Sequence, residues 1–165
     1  YKEVIYEGYG AHGIAFLVET ATDNTNRTVA NIRMHFSRCG GTLGNSGSVA
    51  FMFEHKCIFK FHAPAEIDRE EMELEMIDLG VDEFAPEDDT TVTVEAPYES
   101  FGAIQKWLDD HGYEIVSGES ARIPNDTKEL DAEGRESIDK LVERLEEDED
   151  VVNVYHNMKE VEEEE

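Results

Sequence analysis

Between residues 57 and 123 the chain runs through a full set of strands and helices, whereas the elements on either side of that stretch cannot close a core by themselves. Cys57–His62 reads as a strand. Asp68–Leu79 reads as a helix, opened by the capping-box spacing of Asp68 and Glu71 and closed by Gly80. Val81–Pro86 and Thr90–Ala96 follow as strands, then Tyr98–His111 as a helix with Phe101, Ile104 and Leu108 on its apolar stripe, then Tyr113–Ile123 as a strand. The order is β-α-β-β-α-β, which is the ferredoxin-like order of two helices on one antiparallel sheet.

The flanking elements are fragments. Glu3–Gly10 and Gly13–Ala21 read as a hairpin, with Ile14, Phe16 and Val18 on its apolar face. Thr22-Asp23-Asn24-Thr25 is a run of cap-forming side chains, and the helix after it reaches Arg38 with Val29, Ile32 and Phe36 as its buried stripe. Gly40-Gly41 ends that helix, and a loop leads to a strand at Ser48–Glu54. Beyond residue 123, Pro124–Thr127 reads as a linker, Ile138, Leu141, Val142 and Leu145 mark a helix, and Val151–Tyr155 a strand. A sheet and a helix each need a partner layer, so the two ends must complete one another. The expected fold is α+β, with two α/β-sandwich domains. Residues 1–55 and 125–157 form a discontinuous α/β domain, residues 56–124 an inserted ferredoxin-like βαββαβ domain, and residues 158–165 an acidic tail.

Charge divides the chain in the same way. Of 165 residues 40 are acidic and 14 are Lys or Arg, a net charge of −26, which repels phosphate at long range. Yet residues 1–56 hold five acids and five Lys or Arg, and Asn24–Phe53 holds no acid at all. Within it Arg27, Asn31, His35 and Arg38 recur at i, i+4, i+8 and i+11, a stripe of donors roughly opposite Val29, Ile32 and Phe36 at about 100° per residue. Guanidinium forks and amides suit phosphates and base edges. The competing reading is a solvated face whose arginines pair with acids of the other domain.

The glycine-rich loop at residues 40–48 resembles a phosphate cradle only superficially. It follows its helix, so the dipole end beside it is negative, and it has no Lys of the P-loop kind. It reads as a mobile turn whose lack of charge lets a partner's backbone approach, with Asn45 as its candidate contact.

Two cysteines, Cys39 and Cys57, make a disulfide framework improbable and fit a reducing, cytoplasmic setting. His35 with Cys39 and His55 with Cys57 invite a zinc reading, but Cys57 opens the expected inserted domain, so packing thiols and surface histidines are preferred. No catalytic fingerprint and no nucleophile with a base is found, so the expectation is no enzyme, no metal and no cofactor. No apolar run is long enough to span a bilayer.

Several segments carry a resemblance: Tyr6-Glu7-Gly8-Tyr9-Gly10, Asp23 through Val29, Gly40-Gly41 through Leu43-Gly44 to Gly47-Ser48-Val49-Ala50, Ile123-Pro124, and Val154-Tyr155-His156-Asn157. In order and across the whole chain, they resemble the YebC/PmpR family, which includes a mitochondrial translational activator of cytochrome c oxidase. The departures are Ala11-His12-Gly13, where the family favours Pro-Gly-Gly, and Thr25, where another Arg is frequent. The resemblance implies a discontinuous domain carrying a ferredoxin-like insertion, and an N-terminal basic helical domain missing before Tyr1. It also implies a non-enzymatic regulator that binds DNA, or that works on RNA at the ribosome. The expected nucleic-acid contacts are Arg27, Asn31, His35, Arg38 and Asn45. The alternatives are an acidic module docking a basic protein partner, or a ferredoxin-like small-molecule sensor.

Overall fold

The computed structural model describes residues 1–161, so the Glu162–Glu165 run assigned to the tail lies outside the described residues. The chain divides into two compact units, one of Tyr1–Phe53 with the segment from Pro124 onward, the other of Glu54–Ile123. Each holds a four-stranded antiparallel sheet and two helices.

In the first unit β1 (Lys2–Tyr9) and β2 (Ala15–Thr22) form the hairpin, joined by a tight turn in which His12 takes a left-handed conformation at φ 61°. Strand β3 (Thr42–Leu43) pairs with β1, and β8 (Val151–His156) pairs with β2, giving the order β3-β1-β2-β8. The sheet therefore gets its fourth strand from beyond the insertion, with Phe16 opposite His156 and Leu17 opposite Tyr155. Helices α1 (Thr25–Arg38) and α4 (Ala132–Glu146) cover one face. Ile14, Phe16, Val18, Ile32, Phe36, Ile138, Leu141 and Leu145 are all buried there, with Phe16 and Phe36 edge to face at 5.7 Å.

The hairpin's second face is covered as well: Ala15 and Leu17 are as buried as their neighbours, beneath Val49 and Phe53. The expected strand at Ser48–Glu54 is not one strand. Its first part curls into a 3-10 turn at Ala50–Met52, and extended backbone begins only at Phe53. The cause is Glu7, whose position opposite Leu17 puts it on the same sheet face. Its carboxylate accepts the backbone N–H groups of Gly47 (2.6 Å), Val49 (3.0 Å) and Ala50 (2.6 Å), which folds the segment around it. Close backbone packing also demands glycine at Gly41, where a Cβ would stand 2.5 Å from the Tyr9 carbonyl. The expected start of the tail also moves. Met158 is buried in the helix-side core, and Lys128 pairs with it in a parallel bridge.

In the second unit β4 (Phe53–His62), β5 (Glu83–Pro86), β6 (Thr91–Pro97) and β7 (Glu114–Pro124) lie in the order β5-β6-β4-β7. Helix α2 (Arg69–Asp78) sends Met72 and Met76, and α3 (Phe101–His111) sends Ile104 and Leu108, into a core with Cys57, Phe59, Phe61, Val92 and Val94. No side chain caps α3, so the turn before it, Tyr98–Ser100, tightens to 3-10 rather than opening the helix. Gly112 closes α3 at φ 70°.

Candidate nucleic-acid interface

Helix α1 starts where its sequence says it should. The Asn24 side chain accepts the Arg27 N–H at 3.1 Å, and the Asn24 carbonyl accepts the Thr28 N–H. The buried stripe is rotated from the expected one: Thr28, Ile32 and Phe36 are buried, and Val29 only half-buried. Because Ile32 and Phe36 are common to both stripes, the midline shifts by about 30° toward Thr28. The shift brings the Arg27–His35 side of the helix down against the turn between α4 and β8.

Thr28 explains the rotation. Its hydroxyl donates to Asp150 at 2.8 Å and lies 2.7 Å from the Thr22 hydroxyl, so a polar residue is buried with partners. Arg27 grips the same carboxylate through two nitrogens, Nε to Oδ2 at 3.3 Å and Nη2 to Oδ1 at 2.9 Å, and reaches Asp23 at 3.1 Å. The pairing with Arg27, then the Thr28 hydroxyl, hold the Asp150 carboxyl below its ordinary range. Asp150 and then Asp23 raise the Arg27 guanidinium in turn. Two turns further on, His35 donates from Nε2 to Asp148 at 2.9 Å, and both side chains are largely buried.

The expected stripe of four therefore does not stand together as a free surface. Arg27, Asn31 and His35 line a groove of about 670 Å³. Its other wall carries Glu147, Asp148, Glu149 and Asp150, joined by Asp23, against Arg144 as the second arginine. A phosphate entering it meets more carboxylate than guanidinium. The acids that pair with the stripe belong to the same unit rather than to the inserted one. Arg38, at the last turn, stays exposed.

Arg33 was not part of the expected stripe. It is exposed on the outer side of α1, and neither Arg33 nor Arg38 makes an ion pair among the described residues. Met34 is 37% exposed between them, and Asn26, Ala30 and Ser37 complete an outer face without any acid. The missed signal was in the spacing: a helix face is defined by what it buries, and Thr28 could not be told from Val29 without its distant partner Asp150.

Asn45 is exposed, and its carbonyl accepts the Ser48 N–H at 3.1 Å. The loop that carries it offers no anion cradle, because Glu7 already takes the Gly47, Val49 and Ala50 amides. Gly44 donates to the Glu7 carbonyl at 2.8 Å, so the loop is tied down at both ends rather than loose. Among the described residues no group of three or more His, Cys, Asp or Glu is placed to hold a metal ion, and no helix is long and apolar enough to cross a membrane.

Residues 1–158 match the family described as "TACO1/YebC second and third domain". A "probable transcriptional regulatory protein" of Porphyromonas gingivalis is 58% identical over 165 residues, covering all of this chain and 68% of that protein. One of the same description from Flavobacterium johnsoniae is 54% identical over 160 residues, covering 97% of this chain and 67% of that protein. The crystal structure of a conserved hypothetical protein from Aquifex aeolicus has the same fold, with a TM-score of 0.74 and 33% identity, over 98% of this chain and 66% of that one. The chain thus spans about two thirds of the length of these relatives.

Proposed function

The chain belongs to the TACO1/YebC family, and from that premise we propose that it is a non-enzymatic, cytoplasmic regulator of gene expression that contacts DNA through the outer face of α1. The observation that carries the reading is the acid-free face holding Arg33 and Arg38, two guanidinium groups with no ion pair among the described residues on a chain of net charge −26. In such a chain a cation is normally claimed by one of the many carboxylates, as Arg27 is by Asp150. Leaving two of them open, about 140° apart at the two edges of the outer half of α1, keeps them available for phosphate. The description of the relatives as probable transcriptional regulatory proteins supports DNA as the target.

This reading reassigns the expected contacts. Arg38 and Asn45 keep a place in the contact and Arg33 joins them, while Asn31 turns into the acid-walled groove and Arg27 and His35 anchor the helix to its own unit. The overall charge opposes long-range attraction, so α1 acts at close contact rather than in the encounter.

The test is a salt titration of binding to duplex DNA, single-stranded RNA and ribosomes by the complete protein and by its Arg33→Glu/Arg38→Glu variant. The expected result is a loss of DNA affinity of about tenfold or more, with the slope of log K against log salt falling by about 2, one for each phosphate contact removed. A variant that binds every target like the parent sinks the assignment of this face. Loss confined to RNA or ribosomes moves the role from transcription to translation.

A further inference from the structure

Helix α2 is apolar on two opposite sides. Met72 and Met76 enter the core of the second unit, while Leu74 and Ile77 stand 66% and 52% exposed. At about 100° per residue, Leu74 and Ile77 centre roughly 150° from the midline of the two methionines. A helix on the surface of a globular unit normally turns one apolar stripe inward and polar residues outward. One apolar at both poles is built to lie between two layers, and this unit supplies only one of them.

The surroundings of the ridge say what the second layer is. Glu70 shares its N-terminal end, Glu73 flanks one side, and Glu71 and Asp78 the other. None of these carboxylates makes an ion pair among the described residues. The helix's one base, Arg69, pairs with none of them, because its guanidinium donates to the carbonyls of Ala63, Pro64, Ile67 and Asp89. An apolar ridge fenced by carboxylates in net excess repels nucleic acid, an anionic bilayer and a second copy of itself.

We propose that the Leu74–Ile77 ridge of α2 docks an amphipathic helix of a partner protein whose apolar stripe is flanked by Lys and Arg. The two aliphatic side chains supply the apolar contact, and the carboxylates on both flanks set orientation and encounter rate. The inference concerns the second unit and stands apart from the DNA reading, which concerns α1.

The test uses the whole chain and a fluorescent, helix-forming peptide with a leucine stripe flanked by lysines, beside a shuffled peptide of identical composition. Anisotropy should show the striped peptide binding at least about tenfold more tightly than the shuffled one. Leu74→Ser/Ile77→Ser should erase that difference while the thermal midpoint stays at the parent's, since both side chains are already exposed. Methyl NMR on the unsubstituted protein guards against a variant that misfolds: the peptide should move the Leu74 and Ile77 methyl signals first. Equal binding of the two peptides, unchanged binding by the double variant, or shifts confined to other methyls would each overturn the proposal. So would self-association of the parent that the double variant abolishes, because the occupant would then be a second copy.

Discussion

The side chain of Glu7 accepts the backbone N–H of Gly47 at 2.6 Å, forty residues along the chain, and the same carboxylate takes Val49 and Ala50 as well. A strand residue thereby writes the shape of a distant loop. The amides that could have met a phosphate from outside are satisfied by an anion from inside, and the segment becomes the lid over Ala15 and Leu17.

Removing that anion should cost the first unit heavily. Glu7→Ala leaves three converging N–H groups without their acceptor and is expected to lower unfolding free energy by about 2–4 kcal/mol. Glu7→Gln, which keeps one acceptor oxygen but turns an NH2 toward donors, should fall between it and the parent. Urea unfolding followed at a probe in the first unit reads both; a Glu7→Ala protein as stable as the parent would show that the loop folds without the carboxylate.

Asp150 makes the same unit acid-sensitive. Its folded-state carboxyl is held below the ordinary 3.8, so it stabilises the fold above that pH and the contribution is lost as pH falls through the lower folded value. Asp150→Asn should therefore be less stable than the parent near neutrality, by about 1–3 kcal/mol from the weakened Arg27 and Thr28 contacts. The gap between the two proteins should close below pH 3.8. A gap that persists undiminished into strong acid would assign the difference to packing.

His156 gives a second pH dependence at higher pH. Burial, first of all, pushes its imidazole below 6.5, and its Nδ1 accepts the Met158 N–H at 3.2 Å. The unfolded chain takes up that proton before the folded one does, so stability should decline as pH drops below 6.5. His156→Gln should flatten the decline in that window. Proton NMR of the imidazole should also find it titrating below an exposed histidine; titration at or above 6.5 would contradict the account.

Arg27 and Arg38 should separate cleanly. Arg27→Gln is expected to lower stability, because it releases Asp150, while leaving nucleic-acid affinity close to the parent's. Arg38→Gln should do the reverse. Thermal unfolding and a binding titration on the same two preparations decide it, and the opposite pattern would return Arg27 to the contact surface.

Much of the architecture could be read from residue order because it is written locally. The Asn24 cap, the Phe16 and Val18 alternation and the βαββαβ run each depend on neighbours within a few positions. What stayed hidden depends on pairs far apart in the chain. Arg27 and Asp150 are 123 residues apart, and Glu7 and Ala50 are 43 apart. A periodicity shows which residues share a face, but not which of two adjacent faces meets a buried acid. Val29 for Thr28 was therefore the natural error, and the free arginine on the outer side of α1 was missed with it.

The pairing of β2 with β8 also fixes the order in which the chain can be finished during its own synthesis. Residues 54–123 emerge as one uninterrupted piece and can complete their sheet at once. The β1–β2 hairpin, made before that piece, must wait for Val151–His156, made after it, holding Phe16 and Leu17 without their β8 partners until then. An earlier-made part of this unit thus becomes native after the insertion that interrupts it, and it needs shielding from premature self-association in the meantime.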